Sequence, residues 1–220
     1  TDQVNAYVSF GYLNNQGTTQ GQGYQRYTMR ASADITPKDW FKMGSSINLR
    51  YSDQAYGVDG SGGASNSLPG SLRARALTLF PYGVPYDENG ERLLYPDGHE
   101  LNVTVVDEVG KVAISNLGYD ISASLYAEFN FGEMWAPLKG LTFKSNFGPQ
   151  LRFSQNYKYM SKDSANRMQV GKDYVSSGAS KNFSWTIDNM VYYNRAFGKH
   201  SIDVTLLHEA MYNMNTTLYS

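Results

Sequence analysis

Residues 141–159 read LTFKSNFGPQLRFSQNYKY, and their alternation decides the fold. One parity carries Leu141, Phe143, Phe147, Leu151, Phe153, Tyr157 and Tyr159; the other carries Thr142, Lys144, Asn146, Gln150, Arg152, Ser154, Asn156 and Lys158. Successive side chains of a β-strand point to opposite faces, so this is one long strand with an apolar face and a wet one. A helical period of about 3.6 would mix the two sets. Length adds a second constraint. Strands of soluble domains cluster near ~5–6 residues, whereas a tilted bilayer-crossing strand needs ~9–11 and can continue beyond the lipid. Aromatic on one side and polar on the other over such a span, the stretch meets the demand of a large transmembrane barrel wall.

The same alternation occurs six more times, over residues 5–13, 24–35, 40–52, 119–131, 183–194 and 201–213. In the second of these, Tyr27, Met29, Ala31, Ala33 and Ile35 oppose Arg26, Thr28, Arg30, Ser32 and Asp34. Between strands the connections are expected to alternate. Short ones follow the second, fourth and sixth strands, as at Thr36-Pro37-Lys38-Asp39, where Pro sets φ and ends the ladder. Long ones follow the first, third and fifth: a polar segment at 14–23, an excursion over 53–117 and a polar loop over 160–181. Tight turns on one side and long loops on the other are the build of outer-membrane barrels. Trp40, Phe41, Phe129, Phe131, Trp135 and Phe197 fall near the short turns. Tyr12, Tyr51, Tyr119, Tyr157, Phe183, Trp185 and Tyr212 fall near the long-loop ends, so both sets are candidates for interfacial girdles. The competing fold, a soluble β-sandwich with an aromatic core, rarely combines strands this long with such loop asymmetry.

Bulk properties agree. The 220 residues include eighteen Tyr and 21 Gly, no Cys, and a net charge of −1. Lacking Cys, the chain has no disulfide framework or thiolate metal site. Near-neutrality leaves no global field for nucleic acid or acidic lipid. A mean hydropathy of −0.48 is compatible with a barrel, whose lumen-facing residues dilute each strand. No apolar run is long enough for a transmembrane helix, and Thr1-Asp2-Gln3 does not open a signal peptide. An exported barrel with this beginning is expected to be a mature chain or a piece of a larger one.

Several segments resemble the SusC/RagA family of TonB-dependent transporters of Bacteroidetes outer membranes. AYVSFGYLNNQG (6–17) followed by YQRYTMRASAD (24–34) is similar to an early barrel hairpin, and DWFKMGSSINLRYSD (39–53) to the next strand. RARALTLFPYGVPYDENGERLLYP (73–96) resembles a long loop of the family; LKGLTFKSNFG (138–148) and NRAFGKHSIDV (194–204) match further on. The resemblance implies an all-β fold, about seven antiparallel strands of a larger barrel of ~22 strands, with long extracellular loops. It implies that the plug domain, the TonB-interacting segment and the closing strands lie outside this chain, so that Ser220 interrupts the barrel. Energised uptake of a bulky glycan or peptide across the Gram-negative outer membrane is the implied function. The implied partners are a SusD-like surface lipoprotein, the TonB complex, and membrane lipid or lipopolysaccharide. A passive porin-like channel and a surface-adhesion or assembly barrel share the strand physics and remain rivals.

No catalytic constellation, metal site or cofactor motif is expected. His99-Glu100 and His208-Glu209 lack the second His of a zinc-protease helix, with Val103 and Tyr212 in its place. Asp87, Asn89 and Gly90 echo only part of a calcium loop. His208 is expected as an interfacial ring near a strand end. The lumenal charges Arg26, Arg30, Asp34, Lys42, Arg50, Asp120, Glu128, Lys144 and Arg152 are expected to wet a barrel wall or bond to a plug. Within 53–117, Leu77, Leu79 and Phe80 are expected to be buried against the barrel mouth and a partner lipoprotein, and Arg73, Arg75, Tyr82 and Tyr86 are the candidate substrate-binding residues. Their guanidinium forks and aromatic faces suit sugars and peptide backbones alike.

Overall fold

A computed structural model describes residues 4–18, 21–57, 72–100 and 102–219, with residues 72–74 described by their backbone only. Seven strands form one antiparallel sheet in chain order: β1 (Val4–Gln16), β2 (Gln22–Lys38), β3 (Phe41–Tyr56), β4 (Val112–Asn130), β5 (Leu141–Met160), β6 (Tyr174–Phe197) and β7 (His200–Tyr219). Two short helices interrupt the connections, α1 (Leu72–Thr78) and α2 (Phe131–Met134). The sheet is open; β1 and β7 do not pair with each other.

Register carries the parity of residues 141–159 across the whole sheet. Directly opposed residues share a face. One row joins Tyr12, Tyr27, Tyr51, Tyr119 and Phe153; another joins Phe41, Phe129, Phe143, Val191 and Leu206. Neighbouring rings in these rows lie 4.9–6.4 Å apart between centroids. The interleaved row Thr28–Arg50–Asp120–Arg152–Asn182 belongs to the opposite, polar face. Pro149 lacks an N–H, and the β4–β5 ladder opens opposite residues 148 and 149, while β5–β6 pairing runs through.

Nothing within the described residues covers the apolar face. On the edge strands Phe10 is 76 % exposed and Leu206 63 %, and on the inner strands Leu49, Phe147 and Leu125 are 36–46 % exposed. A face of this extent cannot stay in water, and hydrocarbon tolerates a sheet where backbone groups are paired, as they are in the strands between the two edges β1 and β7.

Three sequence expectations change. The strands run further than the alternation does: β4 starts at Val112 rather than 119, β6 at Tyr174 rather than 183, and β7 reaches Tyr219. Alternation records a contrast between two environments. Beyond the lipid that contrast ends, yet the ladder continues because it needs only backbone groups. For the same reason the first connection shrinks to 17–21, closed by Gly17 N–H donating to the Gln22 carbonyl at 3.0 Å, so it is not a long loop. Finally, His208 sits mid-strand, not near an end. Asn189 Nδ2 lies 3.4 Å from His208 Nδ1, and Asn189 Oδ1 accepts from Ser145 Oγ at 2.8 Å.

Candidate functional site

The buried part of the molecule lies in the loops. Residues 72–111 and 161–173 pack together beyond the ends of β4, β5 and β6, around Val103, Val112, Met160 and Ala165. Arg92 is their hub. Its Nη1 donates to Glu108 Oε1 at 2.7 Å and to the Val106 carbonyl at 2.8 Å, and its Nη2 donates to the Asp163 carbonyl. Glu108 Oε1 also accepts from Ala165 N–H at 2.8 Å, so one buried carboxylate joins the two loops. The side chains of Arg92 and Glu108 are 9 % and 2 % exposed. Further ties are Ser161 N–H to the Lys111 carbonyl at 2.8 Å and Gln169 Nε2 to Tyr95 Oη.

Two side-chain-capped turns shape the upper surface. Asp87 Oδ1 accepts from Asn89 and Glu91 N–H at 2.9 and 2.8 Å, which accounts for this carboxylate as a turn residue. Asp97 accepts from the N–H groups of His99 and Phe80 and from Asn102 Nδ2. Partial desolvation works to raise the Asp97 pKa, but these donors outweigh it and hold the carboxyl below its ordinary value.

The structure separates the four candidate binding residues. Arg73 lies in α1, with its side chain outside the described residues. Arg75, at the C-terminal part of that helix, is 2 % exposed and donates through Nη2 to Asn166 Oδ1, so its guanidinium faces into the loop body. Burial lowers its pKa, against the opposing pull of Glu108. Tyr82 is 71 % exposed and stacks on Phe80, centroids 5.4 Å apart. The Tyr86 hydroxyl donates to Asp107 Oδ2 at 2.7 Å; that bond, with slight desolvation, raises the tyrosine pKa. Only Tyr82 and Tyr86, of the three with described side chains, present an open ring.

Leu77 and Phe80 leave the interior of the loop body to other side chains, and Leu79 is half-buried. Leu77 is 79 % exposed and Phe80 45 %, while Arg92, Glu108, Val103 and Met160 occupy the interior. No local signal marks Arg92 or Glu108, because they meet across sixteen residues of chain and their further partners Asp163 and Ala165 come from another loop.

The polar face of the sheet carries two networks of its own. Asp120 Oδ2 lies 3.1 Å from Arg50 Nη2 and 2.9 Å from Arg152 Nε. Nearer the short turns, Tyr126 Oη donates to Asp34 Oδ1 at 2.8 Å, and Lys144 stands 3.7 Å from Glu128 and 4.8 Å over the Tyr126 ring.

This geometry has known counterparts. Solved structures of the RagAB peptide importer in its closed-closed and open-open states match 99 % and 100 % of the chain, with TM-scores of 0.69 and 0.70 at 17 % and 18 % identity. A further structure, of the RagAB peptide transporter, matches at a TM-score of 0.72. The sheet has the fold of a barrel wall of these transporters. In sequence, a TonB-dependent receptor of Formosa agariphila is 24 % identical over 203 residues, 91 % of this chain. No protein-family model matches the chain. The chain spans 19 % of that receptor and 24 % of the RagAB chains.

As barrel wall, the apolar face is the lipid face and the polar face lines the lumen. The Tyr12–Tyr27–Tyr51–Tyr119 row forms the girdle toward the long-loop ends, and the Phe41–Phe129–Phe143 row the girdle toward the short turns. Among the described residues no helix is long and apolar enough to cross a membrane, which does not bear on crossing by strands. Phe80, Tyr82 and Tyr86 belong to the connection between β3 and β4, on the long-loop side of the sheet.

Proposed function

We propose that these residues form part of the wall and one long extracellular loop of a TonB-dependent importer in the outer membrane of a Gram-negative bacterium. Its cargo is a bulky nutrient, glycan or peptide, and the reading assigns it a SusD-like surface lipoprotein and the TonB complex as partners. Lipid and lipopolysaccharide surround the apolar face. TonB engages a plug-bearing part of the polypeptide outside residues 1–220, and further strands pair with β1 and β7. No catalytic step is assigned to any residue.

The observation that carries this reading is the two-faced sheet joined to an ordered body of loops at one mouth. In the importer, Tyr82 and Tyr86 offer aromatic faces to cargo or partner, Arg75 holds the loop body together from inside, and Arg73 belongs to the same helix. Replacing both tyrosines with Ala in the full-length protein is expected to weaken cargo or lipoprotein binding about tenfold. That equals ~1.4 kcal/mol, the scale of one aromatic contact. Barrel folding should be unchanged, since neither ring touches the sheet's ladder. Uptake by the parent protein should also vanish in a strain lacking TonB. Uptake that persists there would favour the passive channel.

A further inference from the structure

We propose that the lumenal face holds an anion-binding subsite formed by Arg30, Arg50 and Arg152, fitted to a carboxylate or sulfate group on the cargo. The proposal rests on the importer reading above.

Three adjacent register rows of the lumenal face define the place. They are Leu13–Arg26–Ser52–Gly118–Ser154–Ser180, Gly11–Thr28–Arg50–Asp120–Arg152–Asn182 and Ser9–Arg30–Asn48–Ser122–Gln150–Ser184. Four guanidinium groups stand in these rows with a single carboxylate, Asp120. Arg50 reaches Asp120 through Nη2 and Arg152 reaches the same oxygen through Nε, while Gln150 Nε2 donates to Asp120 Oδ1 at 3.4 Å. One carboxylate thus orients two forks and neutralises one charge. The other N–H groups of both forks remain available, and the side chains are 46 % and 55 % exposed. Among the described residues, no carboxylate lies within ion-pair distance of Arg26 or Arg30.

A depression of about 500 Å³ opens at this point, and its lining includes Arg30, Asn48, Arg50, Asp120, Gln150 and Arg152 together with Ser122. Its volume suits a charged sugar unit or a short acidic side chain with its backbone. The amide and hydroxyl groups of Asn48, Gln150 and Ser122 supply neutral donors beside the cations. Guanidinium forks match planar carboxylate and tetrahedral sulfate oxygens with paired hydrogen bonds.

Height in the wall distinguishes cargo from other occupants. Arg50, Asp120 and Arg152 are chain neighbours of Tyr51, Tyr119 and Phe153, whose rings on the other face form the girdle nearest the long loops. The depression therefore lies at the height of that outer girdle, below the Val112 end of β4 and the Met160 end of β5, where a ligand that has passed the loop body reaches it.

The test uses full-length protein in detergent and 8-hydroxypyrene-1,3,6-trisulfonate as a fluorescent anion, read by anisotropy. The parent should bind the dye, and Arg30→Gln and Arg152→Gln should each weaken binding about tenfold, the loss of one charge-assisted contact. Arg30→Gln strands no carboxylate, and Arg152→Gln leaves the Arg50–Asp120 pair, so folding should survive; heat-modifiable gel mobility checks this. Trigalacturonate and a sulfated disaccharide should compete, which separates carboxylate from sulfate preference, and neutral maltotriose should not. Undiminished binding by both variants, competition by maltotriose, or no dye binding by the parent because an internal carboxylate fills the site would each overturn the proposal. TonB-dependent uptake measured on the same proteins keeps the importer reading separate: it can stand while the subsite falls.

Discussion

Phe147→Arg is expected to destabilise the inserted barrel by ~2–4 kcal/mol, while Asn146→Arg, one residue earlier, should cost far less. Phe147 lies on the lipid face between Leu125 and Ile187, with its ring 6.3 Å from Trp185. It stands between the two aromatic girdles, where hydrocarbon offers a guanidinium no water. Asn146 points the other way, between Tyr126 and Asp188. Asp188 Oδ1 is buried without a hydrogen-bond partner among the described residues, so an arginine at 146 gains a carboxylate neighbour. Urea unfolding of full-length variants in lipid vesicles measures the difference. Equal penalties would mean that the two faces have been assigned wrongly.

The second large effect belongs to the loop body. Arg92→Met should cost ~3–5 kcal/mol, because it leaves Glu108 buried with only the Ala165 N–H as a donor from the opposite loop. The cost falls on residues 80–111 and 161–173 and not on the ladder. Hydrogen exchange in these segments should therefore accelerate by two orders of magnitude or more, with β1–β7 protection unchanged. Pairing the change with Glu108→Leu removes the stranded carboxylate and should recover much of the loss, since a buried ion pair and an apolar replacement of similar volume are often close in stability. Unaltered exchange in Arg92→Met would show that the loops hold together without this pair. The double variant also separates charge from shape: a failure to recover would assign the effect to packing around Met168, whose Sδ lies 3.1 Å from Arg92 Nη2.

The midplane polar group is a physical exception to the lipid face. Ser145, Asn189 and His208 share that face with Phe143, Phe147 and Leu206, and they satisfy one another in a chain of hydrogen bonds. Internal pairing is what makes polar atoms tolerable at such a depth. From the sequence, His208 looked like an interfacial ring because β7 was read as ending near 213; with the strand continuing to Tyr219, the same residue falls inside.

Sequence alone determined the strands that cross lipid, their order and the side each residue faces. A period of two is a local property, and a bilayer on one side with water on the other writes that period into every crossing strand. Phe143, Phe147, Lys144 and Arg152 could therefore be assigned to faces without any knowledge of their neighbours. The strand extensions at 112–118 and 174–182 escaped, because they run beyond the lipid, where packing on the loops around Val112, Ile114 and Tyr174 replaces the lipid–water contrast that writes a period of two. Tertiary structure alone decided the loops. Arg92 and Glu108 meet across sixteen residues of chain and join a second loop some seventy residues away, a closure with no local periodicity to betray it. It also turned Arg75 inward and left Leu77 and Phe80 outside, since a polar hub with its hydrogen bonds satisfied took the interior of the loop body.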